Sequence, residues 1–539
     1  MTDPPCLEAS VRAQRIEIVR YVLLAGVAIL TAGSALTPAA WAQNDPSVIP
    51  APNPSQGQYV AKFGSGPALS NNNNAWGIAN TPSGSKEAGQ LSTIIAPNTV
   101  ATPTPGTVVI RLNGRVEVDL TGMWTNADTS VNSAGAYTGY KLNPVGIASY
   151  LRLYPGFDGL SANGLRYGAS AEIRQNFGSA DRAWPSSATG GAANSPGAND
   201  NQQTLYVRRA FTYLATDQVG LLRLGQADGV LGLFDNCIFS SNCWDSGLSG
   251  LSGSSGYEGT TPTGAQMTYV WLNGTASEYN NTKIVYLSPQ VYGFDLGVQY
   301  APNMGNTYQM TGAGVGCTQA GPTCIGVTSG NDATRWYNQV GVGLRYQHNF
   351  GAVDVKAYGF YETAGKETLT TTSVLSPAAV RATSGSAQYM AYDNLSFYKA
   401  GAAITAMNVT LAADYIGGAV NGSLQMRPTG GVSTNAVITG LTYANGPITA
   451  GFQVAMADTQ GAAQLTGLTQ RHEFGFSAGG AYRVAPGLSL VTEYQYITRH
   501  QGGYNFSTNS LGAGTGANTA GVTRDARGQG ITFATVLTW

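Results

Sequence analysis

Gln529-Gly-Ile-Thr-Phe-Ala-Thr-Val-Leu-Thr-Trp539 alternates without a break: Ile531, Phe533, Thr535, Leu537 and Trp539 fall on one face, and Thr532, Ala534, Val536 and Thr538 on the other. Strict alternation is the mark of a strand with different surroundings on its two sides. A segment that carries its apolar face to the final residue needs a neighbour, and residues 108–121 supply one. There the even positions are Val108, Ile110, Leu112, Gly114, Val116, Val118 and Leu120, while the odd ones include Arg111, Asn113, Arg115, Glu117 and Asp119. One face suits hydrocarbon and the other suits charges in water, as in a wall between lipid and a wet lumen. Pairing the first strand with the last closes the sheet.

Between these two, alternating segments recur at 144–155, 164–176, 204–215, 219–227, 282–288, 294–301, 336–348, 353–362, 399–406, 409–416, 437–443, 448–457, 472–482 and 488–499. The connections sort by parity. Short ones, such as Met407-Asn408 and 289–293, alternate with long ones at 122–143, 177–203, 228–281, 302–335, 363–398, 417–436, 458–471 and 500–528. Outer-membrane barrels have short periplasmic turns and long external loops. The fold class expected is therefore all-β, a 16-stranded antiparallel transmembrane β-barrel. Aromatic clusters, namely Tyr150 and Tyr154, Phe211 and Tyr213, Trp336 and Tyr337, Tyr358, Phe360 and Tyr361, and Phe397 and Tyr398, are expected to form the interfacial girdles.

Composition agrees. The 539 residues include 71 Gly and 29 Tyr, and only 11% are charged, against about 25% in a typical soluble domain. The apolar run 21–35 follows Arg12, Arg15 and Arg20 and precedes Ala40-Trp41-Ala42, a small-x-small site. This reads as a signal peptide, 1–42, cut after Ala42. Residues 43–106, with Asn71 to Asn74 and many Pro, Ser and Gly, read as a low-complexity arm, and 107–539 as the barrel. Removing 1–42 takes three Arg and three acids, so the formal net charge stays at −1, which argues against nucleic acid as a partner. No second apolar stretch is long enough for a spanning helix, so the Gram-negative outer membrane and its lipid are the expected surroundings.

Cys237 with Cys243 and Cys317 with Cys324 form two local pairs in Gly/Ser/Thr-rich segments, spacings that fit small disulfide loops in an oxidising compartment. Zinc would need converging ligands, and His348, His472 and His500 lie elsewhere in the chain. Neither metal nor cofactor is expected. Gly475-Phe476-Ser477-Ala478-Gly479 matches the serine-hydrolase pattern but sits inside an alternating strand with no helix after it. No catalytic site is expected.

Several stretches resemble the general porins of Gram-negative bacteria, most closely the alphaproteobacterial type: Val109-Ile-Arg-Leu-Asn-Gly-Arg115, Leu222-Arg-Leu-Gly-Gln226, and Tyr286-Leu-Ser-Pro289 followed by Tyr292-Gly-Phe294. The family usually ends in Phe, whereas this chain ends in Trp539. The resemblance implies a trimer and a long third loop, here 228–281, folded into the lumen. It also implies a constriction where loop acids (Asp228, Asp235, Asp245, Glu258) face basic wall residues. Parity puts Arg111, Arg115, Arg152, Arg166 and Arg174 on the polar side of their strands; Arg208 and Arg209 are adjacent and must point to opposite sides, an order that parity leaves open, and the likeness to the family's basic wall favours Arg208. The implied function is passive diffusion of ions and small hydrophilic solutes. A solute-specific channel, a sugar route past Tyr150 and Tyr154, is the alternative, followed by a barrel enzyme using His472 or His500 and by an envelope anchor.

Overall fold

The computed structural model describes residues 105–126, 129–131, 137–141, 144–176, 206–216, 219–227, 229–234, 282–289, 291–303, 336–366, 392–422, 425–445, 447–461, 468–485, 488–506, 510–511 and 524–539. Sixteen strands close into one antiparallel barrel. They are β1 (Thr107–Thr125), β2 (Val145–Leu160), β3 (Arg166–Asn176), β4 (Tyr206–Thr216), β5 (Gly220–Gln226), β6 (Thr282–Leu287), β7 (Phe294–Asn303) and β8 (Trp336–Asn349). β9 (Val353–Lys366), β10 (Leu395–Ala406), β11 (Val409–Ala419), β12 (Thr434–Asn445), β13 (Ile448–Thr459), β14 (Arg471–Ala485), β15 (Leu488–His500) and β16 (Asp525–Thr538) complete it. Every strand pairs with its sequence neighbour, and β1 pairs with β16 from Arg115↔Thr538 to Thr125↔Gly528. The seam is pinned inside by Thr121 and Thr532, whose hydroxyls lie 3.1 Å apart. Just past the end of β1, Asn126 Oδ1 accepts from the Arg527 N–H of β16 at 2.9 Å.

Alternation sorts the faces as the sequence requires. Ile110, Leu112, Ile147, Phe533 and Leu537 lie exposed on the outer face, while Asp119, Thr121, Thr532 and Ala534 are buried inside. Each of the sixteen expected segments corresponds to one strand. Several strands run three or four residues further at the loop end, as in β9 to Lys366, β10 from Leu395 and β16 from Asp525. β2 continues past Pro155 to Leu160, although a break was expected there. Pro155 remains opposite Leu112 of β1, whereas the pairing to β3 lapses between Leu153↔Ile173 and Gly156↔Ser170 and resumes in the same register. Proline lacks the N–H that one side of the ladder needs. Small hairpins, Thr129–Val131 with Tyr137–Lys141 and Tyr504–Asn505 with Ser510–Leu511, stand in two of the long loops.

At the short-turn end, Met407 (φ 50°) and Asn408 (φ 66°) both take positive φ, the two-residue hairpin whose twist matches its strands. The girdle expectation needs correction. Tyr154, Phe211, Tyr213, Tyr358, Phe360 and Phe397 are buried inside the barrel, because neighbouring residues of a strand must split between the faces. The outer belt holds Tyr361 and Tyr398, with Tyr415 packed beside Tyr398, and Tyr300 and Trp124 are exposed on other strands. Tyr415 donates to Asn435 Oδ1 at 2.7 Å and Tyr361 bonds Ser396 at 2.9 Å. On the loop side, described parts of four loops are stitched together. Arg427 grips Asp393 Oδ2 through Nε (3.0 Å) and Nη2 (2.6 Å), Asn421 Nδ2 donates to Gly461 O (2.9 Å), and Gln501 Nε2 donates to Gln460 O (2.8 Å).

Leu441 points outward from β12. Leu441→Arg is expected to destabilise the folded barrel by about 2–4 kcal/mol, the cost of a cation on the lipid face near mid-membrane. Denaturant titration in lipid vesicles measures it; a change near zero would place this wall outside the lipid.

Candidate functional site: the lumen and its third loop

The third long loop starts after β5, and its first described segment is a helix, α1 (Val230–Phe234), inside the barrel against β7, β8 and β9. Two glycines make room for it. Gly297 and Gly343 face each other across β7 and β8. A Cβ on Gly343 would meet Phe234 Cδ2 and Val230 Cγ1 at 2.9 Å, and one on Gly297 would meet Val230 Cγ1 at 2.6 Å. The missing side chains form an apolar notch in an otherwise polar wall.

Polar groups lock the helix in that notch. Val230 N–H donates to Gln299 Oε1. Gln299 Nε2 donates to Glu362 at 3.0 Å, and Gln339 Nε2 donates to the same carboxylate at 2.7 Å. β7, β8 and β9 thus each contribute one member of a buried network, and full satisfaction is what keeps such a network from being a liability. The Arg345 guanidinium lies 4.8 Å from the centre of the Phe234 ring and is itself held by Asp295, with Nε donating to Oδ1 at 3.0 Å and Nη2 to Oδ2.

The rest of the lumenal wall carries charge at spaced positions. Lys399 Nζ lies 3.5 Å from Asp414 Oδ2, Arg499 Nε donates to Glu473 at 2.7 Å, and the Tyr213 hydroxyl donates to Asp158. Arg166, Glu172, Arg223, Lys283 and Glu493 are also buried on the inner face. Wet or protein-packed lumenal positions accept charge that the lipid face would reject.

A family model described as "Gram-negative porin" matches residues 92–502. The chain belongs to that family. This porin is accordingly an outer-membrane channel. Solved structures of similar fold include an anion-selective porin from Comamonas acidovorans (14% identity, 80% of this chain and 100% of that chain, TM-score 0.45). Others are the outer membrane channel DcaP of Acinetobacter baumannii (11%, 81% and 99%, 0.43) and a Salmonella typhi OmpF complex with daunomycin (16%, 79% and 97%, 0.40). No curated protein matches the sequence.

The porin's register gathers part of the expected basic wall. Arg115 stands opposite Arg152, and Arg152 opposite Arg174, one row across β1, β2 and β3, with Arg111 opposite Gly156. Arg166 lies at the short-turn end of β3, buried. Arg208 is displaced from its expected place. A bulge in the β3–β4 pairing sets Arg209 opposite the buried Glu172 and Val207 opposite Ile173, so Arg208 falls between register pairs. Asp228, Asp235, Asp245, Glu258, Cys237, Cys243, Cys317 and Cys324 lie outside the described residues. The family-based placement confined the basic wall to the first four strands. It missed Arg223, Lys283, Arg345 and Lys399, all of which sit on the polar parity of their strands, and it missed the Gln299–Glu362–Gln339 network.

Gly343→Val is expected to leave the barrel folded but lift α1 from its notch, giving an unsteady open level in single-channel records. Gly359→Val, at a position with no atom within 4 Å of the added Cβ, is the control. Equal, steady conductance in both variants would show that the notch does not seat the loop.

Proposed function

We propose that this porin is a passive diffusion channel for ions and small hydrophilic solutes, with solutes moving down their gradients past a constriction formed by the third loop and the basic wall. The observation that carries the reading is α1, which enters the lumen and is fixed there by wall residues from three strands. A loop held inside a charged barrel narrows it. Opposed charges across such a gap order ions and orient zwitterions. Arg115, Arg152 and Arg174, with Arg111, Arg166 and the Arg208–Arg209 pair, form the cationic side in this proposal. Asp228, Asp235, Asp245 and Glu258 form the anionic side. Three copies assemble, the leader 1–42 is removed after Ala42, and Cys237–Cys243 and Cys317–Cys324 close small loops.

The solute-specific alternative leans on Tyr150 and Tyr154, and Tyr154, like Tyr358, Phe360 and Phe397, is packed beneath its neighbours. An enzyme reading gains nothing from Ser477. It lies buried within β14, accepting from Gln453 Nε2 at 3.1 Å, not on the sharp turn a nucleophile needs.

Purified protein in a planar lipid bilayer is expected to give large ohmic steps in groups of three. Under a salt gradient, Arg115→Gln and Arg152→Gln should each move the reversal potential toward cations, by about fivefold in relative permeability, equivalent to about 1 kcal/mol for one charge close to the ion in water. Small steps opened or blocked by a single solute would overturn the diffusion reading. Unchanged selectivity would remove these arginines from the constriction.

A further inference from the structure

Two of the chain's three histidines face each other on neighbouring strands at the loop-side rim. The register runs Asp458↔His472↔His500↔Asp525, one row across β13, β14, β15 and β16. The row lies on the outer face of the barrel, since the alternate residues Glu473 and Arg499 pair on the inside. Two positions closer to the membrane on the same face, Phe476 packs against Tyr496 with centroids 5.5 Å apart. The row therefore stands in the polar layer above the aromatic belt, where ionisable groups cost little.

Each aspartate holds the Nδ1 of its histidine, Asp458 Oδ1 at 2.5 Å from His472 and Asp525 Oδ1 at 2.7 Å from His500. A carboxylate only accepts, so each Nδ1 carries the proton and each neutral ring has its lone pair on Nε2. The aspartates occupy the outer places in the row, which leaves the two histidines as each other's neighbours at its centre. Directly opposed residues have Cβ atoms about 4.5–5.5 Å apart, a span over which two imidazoles can share one ion at about 2.0–2.1 Å from each nitrogen. Imidazole suits zinc, copper and nickel, and metal-binding histidines commonly donate their second nitrogen to a carboxylate.

We propose that His472 and His500 form a two-nitrogen site for a divalent transition-metal ion on the outer rim, oriented by Asp458 and Asp525 and completed by water. Among the described residues no three His, Cys, Asp or Glu side chains are already gathered for a metal, so binding draws the two half-exposed rings together and exchanges any other contact of His472 for the ion. The bound metal links β14 to β15 above the lipid.

The test is Cu²⁺ titration of the refolded full chain in detergent, read by binding and by nitrogen couplings in the electron paramagnetic resonance spectrum. A two-imidazole spectrum is expected. His472→Ala and His500→Ala should each weaken binding at least tenfold and leave a single nitrogen. Asp458→Asn combined with Asp525→Asn should keep both nitrogens while weakening affinity by about 10–100-fold. His348→Ala, at the short-turn end of β8, should change nothing. A one-nitrogen spectrum in the unmodified chain, binding that survives both histidine variants, or binding lost in His348→Ala would overturn the proposal. Channel conductance should be the same in all these variants, which separates this site from the pore.

Discussion

Hydrocarbon has no water to offer a bare peptide group, so a sheet in a membrane cannot keep a free edge. In this protein the edge is abolished by eleven opposed residue pairs between Arg115–Thr125 of β1 and Gly528–Thr538 of β16. Everything inside follows from that closure. Once the sheet is a cylinder, strand alternation divides every residue between lipid and lumen, and the lumen becomes the one place where buried charge can be matched. Asp295 with Arg345 and Asp414 with Lys399 are such pairs, each formed between neighbouring strands on the lumenal face.

The lumen is also where the cylinder departs from uniformity. A wall of alternating polar residues would offer no hold for an entering loop. Gly297 and Gly343 remove two side chains at one register position, and α1 fills the gap with Val230 and Phe234. The amides of Gln299 and Gln339, gathered on Glu362, convert that apolar seat into a directional one. Packing supplies the place and hydrogen bonding supplies the orientation. Among the described residues, Glu362 reaches the loop through Gln299, which lies two strands away from its own.

The barrel was legible in the sequence because a period of two survives any change of composition: Val108 to Leu120 and Ile531 to Trp539 announce their faces without a neighbour in view. Strand ends were less legible. Beyond the lipid both faces are wet, so segments such as 363–366 and 525–528 lose the contrast that marks a strand. Pro155 misled for a different reason, since its cost falls on one ladder only and β1 still pairs across it. α1 is five residues long and shows no helical repeat. The Glu362 network and the Asp–His–His–Asp row were invisible because each depends on the register of three or four strands, and register is a property of the sheet and not of any segment in it. The aromatic clusters show the same limit: Tyr358, Phe360 and Tyr361 look alike in sequence, yet one faces lipid and two face inward.

The seam carries one more implication, about time. Its two strands stand about as far apart in the chain as the barrel allows, and the hydroxyls of Thr121 and Thr532 meet only when both have arrived. Loop-closure entropy penalises such distant contacts most heavily, and a topology dominated by them forms slowly. Until β16 docks, β1 and the growing front of the sheet are two adhesive borders facing an aqueous compartment, each able to recruit a stranger. Productive assembly of this protein is thus a race between its own last strand and every other strand in the vicinity.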